Sequence, residues 1–448
     1  MSSADTIAAI ATPPGKGGIG VVRVSGPGVK TIIPELLGKA LKPRTAHYTP
    51  FHDAQSQPID NGIAIFFPGP ASYTGEDTLE LYAHGSRIVL EAILDRVIVL
   101  GARLARPGEF TQRAFLNDKI DLVQAEAVAD LVNAVSSQAA RSAIRSLAGE
   151  FSIAVAALQK EIITIRTMLE SGLDFPDEDI EAFNTETLKQ RIKACLDSLN
   201  TVFSRARAGC VLGEGITMVI TGRPNTGKST LLNRLAGNEV AIVTDVPGTT
   251  RDLIECDILI EGVPVHITDT AGIRLTDNQV EMEGIRRAKA AAARADVIII
   301  LVEDGGPTPV EENGLIEDAD ENIHRIILHN KIDLSGSSPG IDKQDDTHIW
   351  LSMKTGAGYD LLISHLKQFM GVQELPEDSY MARRRHLDAL SRSKEILQKA
   401  LAAHEGHQAA ELLAEDLREA HRALEEITGE FSSDDLLGKI FSEFCIGK

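Results

Sequence analysis

The chain of 448 residues carries 65 acidic and 45 basic side chains, a net charge of −20, with 43% apolar residues. Its length predicts about two to four domains with real cores. Its charge excludes broad, non-specific nucleic-acid binding, so any RNA contact falls to a local basic patch or is shared with a partner. No run approaches ~18 apolar residues, Met-Ser-Ser-Ala-Asp-Thr is no secretory leader, and the cysteines at 195, 210, 256 and 445 are scattered. These features predict no membrane partner, no metal cluster or disulfide framework, and a reducing, cytoplasmic setting.

In chain order, residues 1–117 are rich in Gly, Pro and short β-branched runs, with strands expected at 7–11, 19–24, 63–67 and 79–83. This region reads as α+β. The glycine-rich run from Pro13 to Gly18 lacks phosphate-loop spacing and reads as a tight loop, with a phosphate cradle as the alternative. From about 118 the pattern turns helical. Phe151, Val155, Leu158, Ile162, Ile165 and Leu169 form one apolar stripe, and Leu188, Ile192, Cys195, Leu199 and Val202 a second. Beyond residue 372 a third follows on Leu413, Leu417, Ala420, Leu424 and Ile427. No long charged heptad array accompanies them, which favours a packed all-α bundle. The acidic run Asp174 to Asp179 reads as a solvated turn or as a site for a cation or basic partner.

Between the helical segments lies an α/β segment. The run 216–221 reads as a buried strand, Gly222-Arg-Pro-Asn-Thr-Gly-Lys-Ser229 as a glycine loop, and the residues from Thr230 as a helix. That order is the context of a phosphate-binding loop, in which Asn225, Thr226, Gly227, Lys228, Ser229 and Thr230 surround phosphates, Lys228 reaches the β and γ oxygens, and Ser229 holds Mg²⁺. Asp269, Thr270, Ala271 and Gly272 end the apolar run 263–268, which puts Asp269 near the metal. Thr244, Asp245, Val246, Pro247, Gly248, Thr249 and Thr250 lie between, where a Mg²⁺-binding switch threonine belongs. Asn330, Lys331 and Asp333 follow the run 326–329. A carboxylate there can accept from both guanine N1–H and the exocyclic amine, a donor pair adenine lacks. Ser352, Met353 and Lys354 form the loop expected to close over the base. The five elements in this order resemble a Ras-like P-loop GTPase with GTP as substrate. The economical organisation is a region 1–117, a helical domain of 118–213 and 372–448, and a GTPase domain, 214–371, inserted in it. Gly209, Gly213 and Gly215 mark the way in, and Pro376 to Asp378 lie just beyond the way out.

Many switch GTPases place a water-orienting Gln after D-x-x-G. Here Ile273 stands there. Either hydrolysis is very slow, or another polar residue and another cation act, with Arg274, Glu281 and Glu283 as candidates.

Further motifs carry a more specific resemblance. They are A-T-P-P-G-K-G-G-I-G with Arg23, T-G-E-D-T-L-E at 74–80, P-G-E-F-T-Q-R-A-F-L-N-D-K at 107–119, T-D-V-P-G-T-T-R-D at 244–252, D-T-A-G-I-R, and the tail F-C-I-G-K at 444–448. Together they resemble the bacterial MnmE/TrmE family of tRNA-modification GTPases over essentially the whole chain. The tail is the most specific of them. The resemblance implies a homodimer acting with an FAD-dependent MnmG/GidA-type partner, in a heterotetramer or larger complex, on C5 of the tRNA wobble uridine. It implies a one-carbon unit carried by 5-formyl-tetrahydrofolate or a related folate in the N-terminal domain, with Arg23, Glu80, Lys119 and Lys448 as ligands. It further implies G domains that dimerise across the nucleotide. K⁺ is then held by Asn225, Thr244, Val246 and Thr249, Mg²⁺ by Ser229 and Thr250, and the attacking water by Glu281. Taken alone, Glu281 also reads as a solvated helix-start acid. Cys445 reads as a thiol nucleophile or as a packing residue among Phe441, Phe444 and Ile446. The cluster from Arg383 to His386 reads as a solvated helix start or as a tRNA phosphate contact. Two other functions stay open: a ribosome or RNA assembly GTPase without modification chemistry, and a folate-binding aminomethyltransferase with a regulatory GTPase.

Overall fold

The computed structural model describes all residues except 1–4, 175–184, 239, 242–253, 270–292, 294, 307–322, 343, 345–346, 372–375, 377, 406–409, 430–433, 443, 445–446 and 448. Contacts divide the chain into two units, one of Met1–Asn133, Ile144–Leu199 and Asp388–Lys448, the other of Ala134–Ala143 and Asn200–Leu387.

The first unit opens with a six-stranded sheet. Its strands are β1 (Ile7–Ile10), β2 (Gly17–Ser25), β3 (His47–His52), β4 (Pro58–Phe67), β5 (Thr78–Gly85) and β6 (Arg103–Leu104), ordered β3-β4-β5-β2-β1-β6. Only the β1–β6 pair is parallel. The glycine-rich run from Pro13 leads from β1 into β2, as a tight loop. Helices α1 (Val29–Leu37), α2 (Arg87–Val99) and α3 (Glu109–Leu116) accompany the sheet. Strand alternation fixes what each face carries. Val22, Val24, Leu79 and Leu81 are buried against Ile32, Leu36, Ile93 and Val97 of α1 and α2. Arg23 and Glu80 lie between them in sequence and directly opposite each other in register, so both stand on the other face.

Next come α4 (Leu122–Asn133), α5 (Ser137–Leu147), α6 (Glu150–Asp174) and α7 (Thr185–Glu214). The expected stripes on α6 and α7 are buried along their whole length. Of the acidic run, only Asp174 falls on a described residue, as the last residue of α6; the rest lies outside the described residues. The expected boundary glycines behave differently. Gly209 and Gly213 lie inside α7, where they permit close approach of the returning chain. A Cβ at 209 would stand 1.6 Å from the Tyr380 carbonyl oxygen, and one at 213 would stand 2.5 Å from the Met381 sulfur. Only Gly215, with φ +68°, ends the helix.

The second unit holds an eight-stranded sheet of β7 (Ile216–Gly222), β8 (Val240–Ala241), β9 (Ile254–Ile260), β10 (Val263–Asp269), β11 (Val297–Glu303), β12 (His324–Asn330), β13 (Gly340–Ile341) and β14 (His348–Trp350). Its order is β13-β14-β12-β11-β7-β10-β9-β8, with β14, β12, β11, β7 and β10 mutually parallel. Strand β11 is buried on both faces from Val297 to Val302, as a central parallel strand requires. Helices α8 (Lys228–Asn238), α9 (Ile332–Ser335) and α10 (Tyr359–Met370) belong to the same unit. This is the P-loop GTPase architecture expected from the motifs.

The chain ends with α11 (Arg384–Glu405), α12 (Ala410–Thr428) and α13 (Asp434–Ser442). The third stripe, Leu413 to Ile427, is buried on α12, which packs along α6. On α13, Ile440 and Phe441, followed by Phe444, close over Leu122, Ala125 and Ala129 of α4. Among the described residues no helix is long and apolar enough to cross a membrane.

Candidate functional site

Strand order locates the first site. From β7 the sheet continues to β10 on one side and to β11 and β12 on the other, so the order reverses at β7. Ligands of such sheets bind beyond the carboxyl ends of the strands at the reversal. Gly222, Asp269, Glu303 and Asn330 end the four parallel strands at that edge.

The phosphate loop has the backbone its glycines allow. Gly222 and Gly227 have φ of +147° and +108°, and Asn225 takes φ +66°, a region Asn tolerates better than most residues. A Cβ at Gly227 would sit 2.3 Å from Asn330 Nδ2, and one at Gly222 would sit 2.4 Å from the Leu301 carbonyl oxygen. The loop is thus a cradle that side chains would fill. The Lys228 ammonium folds over it, donating to the carbonyls of Gly222 at 2.6 Å and Arg223 at 2.9 Å. Thr226 is buried and bonds its hydroxyl to the Arg223 carbonyl, while Asn225, Ser229 and Thr230 are exposed at the helix start.

Asn330 ties this loop to the base loop. It is 3% exposed, donates through Nδ2 to the Thr226 carbonyl at 2.7 Å and accepts the Met353 N–H at 2.9 Å. The buried Ser352 hydroxyl donates to Asp333 Oδ1 at 2.6 Å, which orients an otherwise exposed carboxylate. Lys331, at φ +69°, pairs with Glu303 at 2.8 Å, and Lys354 is exposed. Parallel pairing of Asp269 with Ile220 puts its backbone beside the phosphate-loop strand. The residues from Thr244 through Asp245, Val246, Pro247, Gly248 and Thr249 to Thr250 lie outside the described residues, as do Thr270, Ala271, Gly272, Ile273, Arg274, Glu281 and Glu283.

A second cluster stands on the outer face of the first sheet. Arg23 Nε donates to Glu80 Oε1 at 3.0 Å, and the Tyr82 hydroxyl donates to Glu80 Oε2 at 2.7 Å. That bond, together with burial, pushes the Tyr82 phenol up to about 12. The Arg23 guanidinium lies 5.4 Å from the Tyr73 ring centre and 5.7 Å from that of Phe110. Its Nη1 reaches the Gly447 carbonyl at 3.5 Å, so the tail passes beside it. Flat aromatic walls around a carboxylate and a guanidinium fit a pterin, which offers a ring face and amide and amino edges. Glu80 retains lone-pair capacity for such an edge, since a carboxylate has about four acceptor sites. Lys119 is exposed and packs its stem near Gly75, away from the Arg23–Glu80 pair in sequence but beside the same 74–80 segment. Lys448 and Cys445 lie outside the described residues. Burial pushes the thiols of Cys195 and Cys210 up to about 11 and about 12, so neither is a reactive thiolate.

Sequence reasoning missed Tyr73, Phe110 and Tyr82, and also a buried ion network behind them. Arg113 donates to the Asp5 carboxylate at 2.8 Å, to Glu76 at 3.0 Å and to Glu109 at 3.2 Å. Arg103 adds a 2.6 Å bond to Glu109. Glu76 and Glu109 belong to the motifs at 74–80 and 107–119, which was the signal available.

The sequence profile described as "MnmE helical domain" matches residues 122–445, and "GTP-binding protein TrmE N-terminus" matches 6–119. A tRNA modification GTPase MnmE of Hydrogenovibrio crunogenus is 50% identical over 449 residues, covering 100% of both chains. The chain belongs to the MnmE family of tRNA modification GTPases. A Coxiella burnetii MnmE is 51% identical over 447 residues, covering 99% of each chain. Among solved structures, an Aquifex aeolicus Era variant bound to GDP and AlF₄⁻ is 25% identical, with a TM-score of 0.28, over 40% of this chain and 66% of its own. The G domain of the Thermotoga maritima FeoB iron transporter is 22% identical, with a TM-score of 0.27, over 34% of this chain and 98% of its own. As a member of the MnmE family of tRNA modification GTPases the chain is a GTP hydrolase.

Proposed function

We propose that the chain hydrolyses GTP in forming 5-carboxymethylaminomethyl- or aminomethyl-uridine at the tRNA wobble position, together with an FAD-dependent MnmG/GidA-type partner. The observation that carries the nucleotide half is the pair of hydrogen bonds of Asn330, donated to the Thr226 carbonyl and accepted from the Met353 N–H. It makes phosphate loop and base loop one rigid receptor. On nucleotide binding, Lys228 exchanges two neutral carbonyls for charged phosphate oxygens, roughly doubling the strength of each bond. Ser229 and Thr250 are assigned to Mg²⁺, and Asn225, Thr244, Val246 and Thr249 to K⁺. When bound, these ions supply positive charge where the β- and γ-phosphate oxygens accumulate negative charge. Glu281 is assigned to positioning the attacking water, and a homodimer closes G domain on G domain. The proposed organisation is 1–117 for folate binding and dimerisation, 118–213 and 372–448 for the helical domain, and 214–371 for the GTPase.

The test of base recognition is Asp333→Asn. An amide accepts on one side only, so GTP affinity should fall by about 10²-fold while discrimination against xanthosine triphosphate relaxes. A titration with unchanged GTP affinity would remove Asp333 from the site.

The folate half is supported by the Arg23–Glu80 pair, its aromatic walls and the tail beside it. The folate, when bound, supplies the one-carbon unit. Arg23, Glu80, Lys119 and Lys448 are assigned to orienting it. Removing Lys448 alone is expected to weaken 5-formyl-tetrahydrofolate binding about tenfold, the worth of one charge-assisted bond. Calorimetry giving wild-type affinity after that truncation would contradict the assignment.

A further inference from the structure

The cluster Arg383 to His386 offers a tRNA phosphate contact, but two of its four side chains are engaged within the fold. Arg384 pairs with Asp296 at 2.9 Å, and His386 is 1% exposed with its Nδ1 accepting the Arg383 N–H. A different cation cluster is turned outward. Between residues 6 and 119, Arg23, Lys30, Arg87, Arg103, Arg106 and Arg113 each pair with a carboxylate. Three of the cations with no ion pair among the described residues, Lys39, Lys42 and Arg44, fall within six consecutive positions, and all are exposed. The sequence from 36 to 52 contains no Asp or Glu. In a chain of net charge −20, this is a local reversal of sign.

The segment is also held rigid. Gly38, at φ +66°, closes α1 by donating to the Pro34 carbonyl. Leu41 packs on the core of the first sheet. The Lys42 N–H donates to His47 Nε2 at 3.1 Å, and the Arg44 N–H donates to the Phe66 carbonyl at 2.8 Å. The Arg44 guanidinium lies over the Phe67 ring and donates to the Ala71 carbonyl. Next along the chain, Tyr48 is 75% exposed on β3, the edge strand of its sheet.

We propose that Lys39, Lys42, Arg44 and Tyr48 form a tRNA contact surface, in which the three cations take backbone phosphates and Tyr48 stacks on an unpaired base. Cations on a backbone held in place bind phosphate with less ordering cost than those on a loose loop. An exposed tyrosine beside them suits single-stranded RNA, whose unstacked bases pair with aromatic faces. The surface rests on the tRNA-modifying function but on none of the GTP or folate residues.

The experiment is fluorescence anisotropy of the full chain with a fluorescein-labelled tRNA transcript carrying a wobble uridine, across a salt series. The variant Lys39→Gln/Lys42→Gln/Arg44→Gln should bind about tenfold or more weakly, with a log–log salt slope shallower by about two to three, since each phosphate contact contributes about 0.7–0.9. Tyr48→Ala should weaken binding with the slope retained. Lys30→Gln, whose ammonium is already paired, should change neither, and GTP hydrolysis should stay at the wild-type rate in all three. If the triple variant fails to fold, Lys42→Glu alone should lower the slope by about one. Wild-type affinity and slope in the triple variant would overturn the proposal. So would a wild-type chain without saturable, salt-sensitive tRNA binding, or a triple variant that loses protein-partner binding while RNA binding is intact.

Discussion

Exchanging K⁺ for Na⁺ at matched ionic strength is expected to slow GTP hydrolysis by orders of magnitude, and Asn225→Ala is expected to erase the difference. Two features of the chain lead there. Ile273 occupies the place of a water-orienting glutamine, and the sequence offers no evident arginine finger in cis. A transition-state cation in related GTPases is worth roughly 10³–10⁵ in rate. Asn225 is the exposed amide of the loop, set at φ +66° on its crest, while Lys228 and Ser229 begin the helix behind it. Asn225→Ala should therefore leave Mg²⁺-GTP affinity within a few fold, and Glu281→Ala should slow hydrolysis without preventing K⁺-dependent association. Stopped-flow rates beside light scattering with GDP and aluminium fluoride separate the two. Full K⁺ activation in Asn225→Ala would remove Asn225 from the cation site.

Arg113→Ala is expected to destabilise the N-terminal region by about 3–5 kcal/mol, the usual cost of removing one partner from a buried ion pair. Arg113 is 5% exposed and Glu109 2%. Without Arg113, Glu109 keeps Arg103 and the Arg106 amide, but Glu76 and Asp5 lose their shared cation. The readout is amide hydrogen exchange in β1, β2 and α3, which should quicken while the second unit stays protected. Unchanged protection would mean the network carries no stability. Burial acts to raise the Glu109 carboxyl, yet Arg103, the Arg106 amide and Arg113 overcome it and hold it at about 2. A carboxyl depressed in the folded state stabilises fully above its unfolded value near 4.5, and that contribution disappears as pH falls toward 2. Protection factors in β1, β2 and α3, with the intrinsic pH dependence of exchange divided out, should accordingly fall within that window.

Much of this was legible before the structure, wherever one period dominated. The stripes of α6, α7 and α12 keep helical spacing, and each residue named from them is buried. The phosphate loop was legible because its spacing is imposed by backbone geometry at Gly222 and Gly227. Helix α2 was not. Its sequence RIVLEAILDRVIV is apolar nearly all round, with Ile88 and Val99 exposed, so no stripe announces it. Gly209 and Gly213 misled for a related reason. A glycine reads as a break in one sequence, yet here its use is to admit another stretch of backbone, which a single segment cannot reveal. The walls around Arg23 were equally hidden. Tyr73, Phe110 and Tyr82 arrive from a loop, a helix and a strand, and nothing in their spacing links them.

The contact of Gly209 with Tyr380 bears on how such a chain could have been assembled. Everything between these two residues is a loop whose ends already touch, backbone against backbone. The entropy of closing a loop grows only with the logarithm of its length, so replacing that stretch by a longer or shorter module costs little where it is anchored. What such an exchange cannot alter is the anchor. A side chain at 209 would pry the outgoing helix from the returning chain at Tyr380, whatever module lay between. Positions 209 and 213 should therefore tolerate change less than most of the sequence they frame.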